Sequence, residues 1–172
     1  MTYIDNIIKK ARLAQNKIEN ESQDFLDNIS IAAAWSIYNI KNAKMLAESA
    51  VKNTGLGNID DKIKKNRFKI IGSLSDILPV KTIGKISENK KNGIQVFAKP
   101  VGIIASLTPS TNAAATPANH IMFALKAGNA IIISPSPKAQ KTVIKLVKII
   151  RRNLIKLKAP ADLVQCISKK NS

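Results

Sequence analysis

The sequence predicts an α/β protein, because three kinds of pattern follow one another along the chain. Residues 1–79 carry apolar side chains at helical spacing, which predicts an N-terminal helical segment. Residues 80–99 alternate around a polar turn, which predicts a β-hairpin. In residues 100–172 short apolar runs alternate with helical patterns, which indicates a βαβαβ unit with a parallel sheet. We expect these three segments to be the structural units of the chain.

The N-terminal segment is predicted to hold three helical regions. The first covers residues 3–20, where isoleucine and alanine recur every three or four positions. The second begins after Ser22, a predicted N-cap, and continues to about Lys52. Its middle is apolar on almost every side, so we expect Trp35 to lie in the core. A Gly-x-Gly stop ends it, and residues 59–78 predict one or two short helices.

The sheet is predicted from three short apolar runs, VGIIASL, AIIIS and DLVQCI. Such runs are typical of parallel strands that are buried on both faces. The helix between the first two is predicted to be capped by Thr116, with Pro117 at its first position and Gly128 at its end. The helix between the last two covers residues 142–157.

Composition limits the classes of protein to which this chain can belong. It has 172 residues, a formal net charge of +17 and a single cysteine, so a disulfide framework is excluded. No apolar run approaches the roughly 18 residues that span a bilayer. The start does not resemble a secretory signal, so we expect a cytoplasmic location.

Two explanations of the positive charge stay open at this stage. A strongly basic chain can bind nucleic acid or another anionic surface. Lysine outnumbers arginine 24 to 4, however, and arginine is the residue that makes bidentate contacts with phosphates and bases. The alternative is a surface with many solvated lysines. Both explanations apply to the helix at 142–157. Its basic face could bind an anionic membrane or an acidic partner, or it could simply be exposed to solvent. We favour the interpretation that it is exposed to solvent.

The two junctions between a strand and the following helix form the candidate functional site. The first reads from Leu107 to Asn112, and the second reads from Ser134 to Pro137. The carboxyl edge of a parallel sheet is where ligands bind in open α/β folds, because the loops converge there and helix N-termini favour anions. Neither junction is a GxGxxG or Walker A motif, so spacing alone also allows two ordinary turns.

Two segments resemble a known family. Residues 97–139 read FAKPVGIIASLTPSTNAAATPANHIMFALKAGNAIIISPSPKA, and residues 10–66 include KARLAQ, AWSIYN, LAESAV and TGLGNIDDKIKKN. Both resemble aldehyde dehydrogenases, and within that superfamily the coenzyme A-acylating branch of the acetaldehyde and sulfoacetaldehyde type. The resemblance implies a Rossmann-like cofactor domain, of which residues 100–172 would be the first part. The hairpin at 80–99 would be the family's oligomerisation arm.

The resemblance also implies a reaction and its partners. In this family a cysteine attacks a small aldehyde, hydride passes to NAD or NADP, and coenzyme A takes the resulting thioester. The resemblance implies that the complete enzyme is a homo-oligomer. It implies neither specific nucleic acid binding nor membrane binding. We expect this chain to be an amino-terminal fragment that lacks the cysteine domain, and therefore to be inactive alone, so whether it is itself an enzyme stays open.

The family's site residues carry over to both junctions. Asn112 would match the asparagine whose amide helps to hold the oxyanion. The residues of the first junction that would line the nicotinamide side of the cofactor are Thr108, Pro109, Ser110 and Thr111. The residues of the second junction that would face the adenosine ribose are Ser134, Pro135 and Ser136. No metal ligands are implied.

Two further residues invite a catalytic interpretation and are better explained structurally. Cys166 lies in the third predicted strand, where a lone cysteine between apolar neighbours is usually a small buried residue. His120 lies in the helix after the first junction, where we expect it to be packed or partly exposed. Neither is predicted to be the nucleophile or the base.

Overall fold

The computed structural model describes residues 2–168 as helices followed by a hairpin and a parallel sheet. Met1 and residues 169–172, the last of the third predicted segment, lie outside the described residues. The helices are α1 Tyr3–Asn16, α2 Gln23–Tyr38, α3 Ile40–Thr54, α4 Ile59–Ile77, α5 Ala115–Lys126 and α6 Gln140–Lys156. The strands are β1 Gly84–Asn89, β2 Ile94–Ala98, β3 Ile103–Thr108, β4 Ala130–Pro135 and β5 Val164–Cys166, the last preceded by a short 3₁₀ turn at Ala161–Leu163. The α/β prediction is confirmed.

Local hydrogen bonds explain where the first two helices begin. The Thr2 side chain accepts from the Asp5 amide while the Asp5 carboxylate accepts from the Thr2 amide, which makes a capping box. The Ser22 side chain accepts from the amide of Phe25, as predicted. α1 ends at Asn16, four residues before the predicted boundary.

The long helix predicted from Ser22 to about Lys52 is wrong, because the chain breaks at Asn39. This residue has extended backbone angles, φ −51° and ψ 126°, so it ends α2. Its side-chain oxygen accepts from the amides of Lys41 and Asn42, and it is therefore the N-cap of α3. The break leaves Trp35 54% exposed near the end of α2, so its predicted core position is wrong as well.

The predicted cap at Thr116 is also wrong. α5 begins one residue earlier, at Ala115, and no side chain caps it. Pro117 is then the third helical residue and not the first. A proline is tolerated there because the first-turn amides have no partner within the helix, so the missing N–H removes no hydrogen bond.

The parallel sheet has the order β3-β4-β5, with β4 in the centre. Residues 130–133 of β4 are all buried, and since neighbouring side chains point to opposite faces, both faces of this strand are covered. α5 and α6 connect adjacent parallel strands, and because such crossovers are right-handed in almost all proteins, we infer that both helices lie on one face. α1, which contacts all three strands, covers the other. α2 packs behind α5 and α6 and completes the core.

A buried ion pair joins the helices beneath the sheet. The Lys126 side chain at the end of α5 is only 2% exposed, and its ammonium group contacts the Asp27 carboxylate of α2. It also donates to the carbonyl oxygen of Leu78 at 3.0 Å. The carbonyl oxygen of Lys126 accepts from the hydroxyl of Thr82, in the segment that leads to the hairpin. The network therefore connects α2, α5 and the base of the hairpin.

The hairpin itself lies largely in solvent. β1 and β2 pair antiparallel, with a bulge between Lys85 and Ser87. Four large apolar side chains of the two strands are each more than 40% exposed: Ile86, Ile94, Val96 and Phe97. An exposed apolar ribbon of this kind is a surface available to a partner.

Candidate functional site

The two predicted junctions lie side by side at the carboxyl edge of the sheet. In the parallel register Thr108, the last residue of β3, is opposite Pro135, the last residue of β4. The amide of Ser136 then donates to the carbonyl oxygen of Thr108 at 2.9 Å. The two junctions are therefore adjacent and joined by a backbone hydrogen bond.

Two hydroxyl groups at this edge are buried without a hydrogen-bond partner. They are Oγ1 of Thr108, a residue that is 5% exposed, and Oγ of Ser136. In the part of the chain that the structure describes, the only other buried side-chain atoms without a partner belong to Arg67 and Asn119. An unpaired buried hydroxyl is unfavourable by about 1–3 kcal/mol, so two at one edge make this edge the candidate ligand site.

The loop that follows β3 is held by the N-terminal helices. Lys62 of α4 donates through Nζ to the carbonyl oxygen of Thr111 at 3.1 Å. Lys65, one turn later, donates to Oδ1 of Asn112 at 3.3 Å. Burial, and then the charge of Lys65, lower the pKa of Lys62 below its ordinary value. Sequence analysis missed both lysines, because spacing along α4 does not show which loop this helix faces.

The remaining site candidates lie on the surface of the same edge. Pro109 and Thr111 are exposed, while Ser110 and Asn112 are half-buried in the turn before α5. Ser134 and Pro135 are half-buried at the end of β4. The carbonyl oxygen of Ser136 accepts from the amide of Ala139, which closes the turn into α6. The structure thus brings every predicted contact residue to one edge, while their roles stay predictions.

Cys166 lies on the same sheet and has the properties of a structural thiol. It pairs with Ile133 in the register of β5 and β4 and is half-buried. Burial raises the pKa of the thiol to about 11. At neutral pH the group is therefore a thiol and not the thiolate that attacks an aldehyde. The structural interpretation of Cys166 agrees with this environment.

His120 is also explained by packing. Its Nδ1 lies 2.7 Å from the hydroxyl of Ser106, a buried residue of β3, and the imidazole is half-buried between α5 and the sheet. No carboxylate among residues 2–168 bonds to the ring, so the described part of the chain does not orient it as an acid or base.

Between residues 2 and 168 no group of three or more His, Cys, Asp or Glu side chains is arranged to hold a metal ion. In the same range no helix is long and apolar enough to cross a membrane.

Comparison with known sequences shows what this chain is similar to. The sequence model described as "Aldehyde dehydrogenase family" matches residues 3–172. Sulfoacetaldehyde dehydrogenase (acylating) of Cupriavidus necator is 45% identical over 161 residues, which are 94% of this chain and 33% of that protein. Succinate-semialdehyde dehydrogenase (acetylating) of Clostridium kluyveri is 37% identical over 164 residues, 95% of this chain and 36% of that protein.

Solved structures agree with these relatives. An acetylating aldehyde dehydrogenase from Geobacillus thermoglucosidasius superposes with a TM-score of 0.92 at 34% identity, covering 98% of this chain and 37% of that one. An engineered glycolyl-CoA reductase with bound NADP+ superposes with a TM-score of 0.83 at 28% identity, covering 96% and 37%. The chain thus spans about a third of the length of the proteins it matches.

Proposed function

Because the chain belongs to the aldehyde dehydrogenase family, we propose that it supplies the cofactor-binding edge of an NAD(P)-dependent, coenzyme A-acylating aldehyde dehydrogenase. Relatives named as acylating and acetylating dehydrogenases, and a neighbour with bound NADP+, support this branch. The relatives give no support to the alternative of a basic module for nucleic acid or an anionic surface.

The observation that carries the proposal is the pair of unpartnered hydroxyls at the joined junctions. Thr108 Oγ1 and Ser136 Oγ are buried at the carboxyl edge of adjacent parallel strands. Hydroxyls can donate to and accept from the phosphate and ribose oxygens of a dinucleotide, so this chemistry fits NAD or NADP. Bound NAD(P)+ supplies the hydride acceptor of the reaction.

The chain's own residues would then act in three ways. The segment 108–111 would line the nicotinamide side of the groove, and the segment 134–136 would face the adenosine ribose. Asn112 would donate from its amide to the oxygen that becomes negative when the aldehyde is attacked. Cys166 does not supply the attacking sulfur, since its thiol is protonated at neutral pH. We assign that nucleophile to the parts of the relatives that have no counterpart in this chain.

The substrate that we propose is a small aldehyde with an acidic group. Sulfoacetaldehyde and succinate semialdehyde, which two relatives are named for, each carry one. Lys62 and Lys65 place two positive charges beside the loop that holds Asn112. A cationic site of this kind attracts an anionic substrate.

The exposed hairpin supports a role in homo-oligomer formation. Its apolar side chains, including Phe97 at 53% exposure, have no cover within residues 2–168. A second copy of the same ribbon or of another face of this chain would bury them. We propose that residues 80–99 are the oligomerisation arm.

Titration of the purified chain with NADPH, followed by cofactor fluorescence, tests the proposed edge. We expect saturable binding that weakens about tenfold or more when Thr108→Val and Ser136→Ala are combined, because two hydrogen bonds of roughly 1 kcal/mol each are lost. Ser75→Ala, which removes an exposed hydroxyl of α4 bonded only to its own helix, is the control and should bind normally. Equal affinity of the double variant and the control would overturn the proposal.

A further inference from the structure

Lys65 reaches the functional group of Asn112 from a different part of the fold. It lies on α4, in the N-terminal helical segment, whereas Asn112 lies in the loop before α5. Lys62 and Lys65 are three residues apart, so their side chains leave the same face of the helix. Both ammonium groups contact the loop, one at the Thr111 carbonyl oxygen and one at the Asn112 side chain.

No carboxylate of the described chain competes for these ammonium groups. The ion pairs found within residues 2–168 are Lys85–Glu88, Lys126–Asp27 and Arg151–Asp162. Burial, and then the positive charge of Lys65, lower the pKa of Lys62. Lys65 is therefore left with the Asn112 side chain as its hydrogen-bond partner.

The chemistry of the two side chains fixes the orientation of the amide. A lysine ammonium group has three donors and no acceptor, so the atom of Asn112 that faces Lys65 is the oxygen Oδ1. The amide is planar, and its Nδ2 group, with two N–H donors, consequently points to the other side. None of the hydrogen bonds within residues 2–168 uses this Nδ2 group.

We propose that Lys65 is a positioning residue, which holds the Asn112 amide with Nδ2 free to donate to the substrate oxygen. The inference rests on the proposed function for the role of Asn112. If the amide turned by 180°, its oxygen would face the developing negative charge and repel it. Lys65 prevents this reversal, because the turned amide would present donors to a donor. Lys62 supports the same loop through the backbone only.

Nuclear magnetic resonance of the ¹⁵N-labelled chain tests the inference without any turnover. The side-chain NH₂ signals of Asn112 are assigned by their loss in Asn112→Ala. In Lys65→Met we expect these signals to shift toward those of a solvent-exposed asparagine, since the amide is released. Lys65→Arg, which keeps a donor and a positive charge, should restore the original positions. Lys64→Met removes an exposed lysine of the same helix and should leave them unchanged.

Two results would overturn the inference. One is an Asn112 amide whose signals do not change in Lys65→Met, and the other is an equal change in Lys65→Met and in the Lys64→Met control. Failure of the cofactor proposal appears in a separate signal, the NADPH fluorescence of the unmodified chain.

Discussion

The amide of Ser136 donates to the carbonyl oxygen of Thr108 at 2.9 Å, and this bond joins the two junctions at the edge of the sheet. Each of these residues also carries a buried hydroxyl without a partner. A backbone hydrogen bond therefore joins the junctions, while these two hydroxyls have no partner within residues 2–168. This contrast is the basis of the proposed ligand site.

Thr108→Val should stabilise the unliganded chain, because it replaces an unpartnered buried hydroxyl with a methyl group of the same shape. We expect the free energy of unfolding in urea to rise by about 1 kcal/mol. Thr142→Val is the matched control, since the Thr142 hydroxyl is also buried but bonds to Ser49 at 3.1 Å. In Thr142→Val we expect the free energy of unfolding to fall by a similar amount, because a hydrogen bond is lost. Destabilisation of both variants would contradict the assignment of Thr108.

Lys126→Met should be strongly destabilising, because it leaves the Asp27 carboxylate in a partly buried position without its cation. We expect the free energy of unfolding in urea to fall by about 3 kcal/mol. Adding Asp27→Leu should recover part of the loss, since the unpaired charge is then removed. Lys156→Met, at an exposed position of α6, serves as the control and should change stability by less than about 0.5 kcal/mol. A neutral effect of Lys126→Met would show that the pair is dispensable.

The secondary structure could be predicted where one local pattern dominates. The strands, the hairpin and the start of α2 at Ser22 follow from apolar runs and capping residues. The expected burial of the first parallel strand on both faces is wrong, because Leu107 of β3 is 84% exposed at the edge of the sheet. Asn39 shows the limit, since its side chain caps a new helix inside a continuous helical pattern. Lys126 shows a second limit of prediction. Its side chain is buried because it pairs with Asp27, which lies 99 positions earlier, and no local pattern around Lys126 indicates this pair.

The candidate site could be predicted only as far as the sheet defines it. Parallel strands bring their carboxyl ends together, so the pairing of the junctions at Thr108 and Ser136 followed from the strand order. The lysines of α4 could not be assigned to the site, because their place depends on how the helical segment packs against the loop at Asn112. The packing of a helix against a distant loop cannot be predicted from the spacing of residues along the helix.

Cys166 should react slowly in the native chain. With a thiol pKa of about 11 instead of 9.0, the native chain holds about a hundredfold less thiolate at pH 8 than the unfolded chain. Alkylation by iodoacetamide, followed by mass spectrometry, should be slower by about that factor than in urea. Equal rates in the native and unfolded chains would contradict the burial of the thiol.

The same shift predicts a pH dependence of stability. Folding favours the neutral thiol, because burial raises the thiol pKa in the native chain. The contribution of Cys166 to the free energy of unfolding is therefore complete below pH 9 and is lost as the pH rises from about 9 to 11. The fall should be smaller in Cys166→Ala, which has no thiol to ionise. Because the two chains differ only at Cys166, the difference between their free energies of unfolding in urea at each pH isolates the contribution of the thiol.

The hairpin should drive association of the chain. Phe97→Asp places a charge in the exposed apolar ribbon, and we expect the dissociation constant for self-association to rise at least tenfold in sedimentation experiments. Lys91→Asp, in the turn of the hairpin, is the control for the charge and should associate as the unmodified chain does. A chain that is monomeric at all concentrations would exclude the arm as an oligomerisation element.

The central claim, that the joined junctions of β3 and β4 bind the cofactor, is tested most directly by mapping the binding site. Backbone amide signals of the ¹⁵N-labelled chain are followed while NADPH is added. We expect saturable shifts concentrated at residues 108–112 and 134–136, with no comparable change along the basic face of α6. Shifts confined to the lysines of α6, or none at millimolar NADPH, would contradict it.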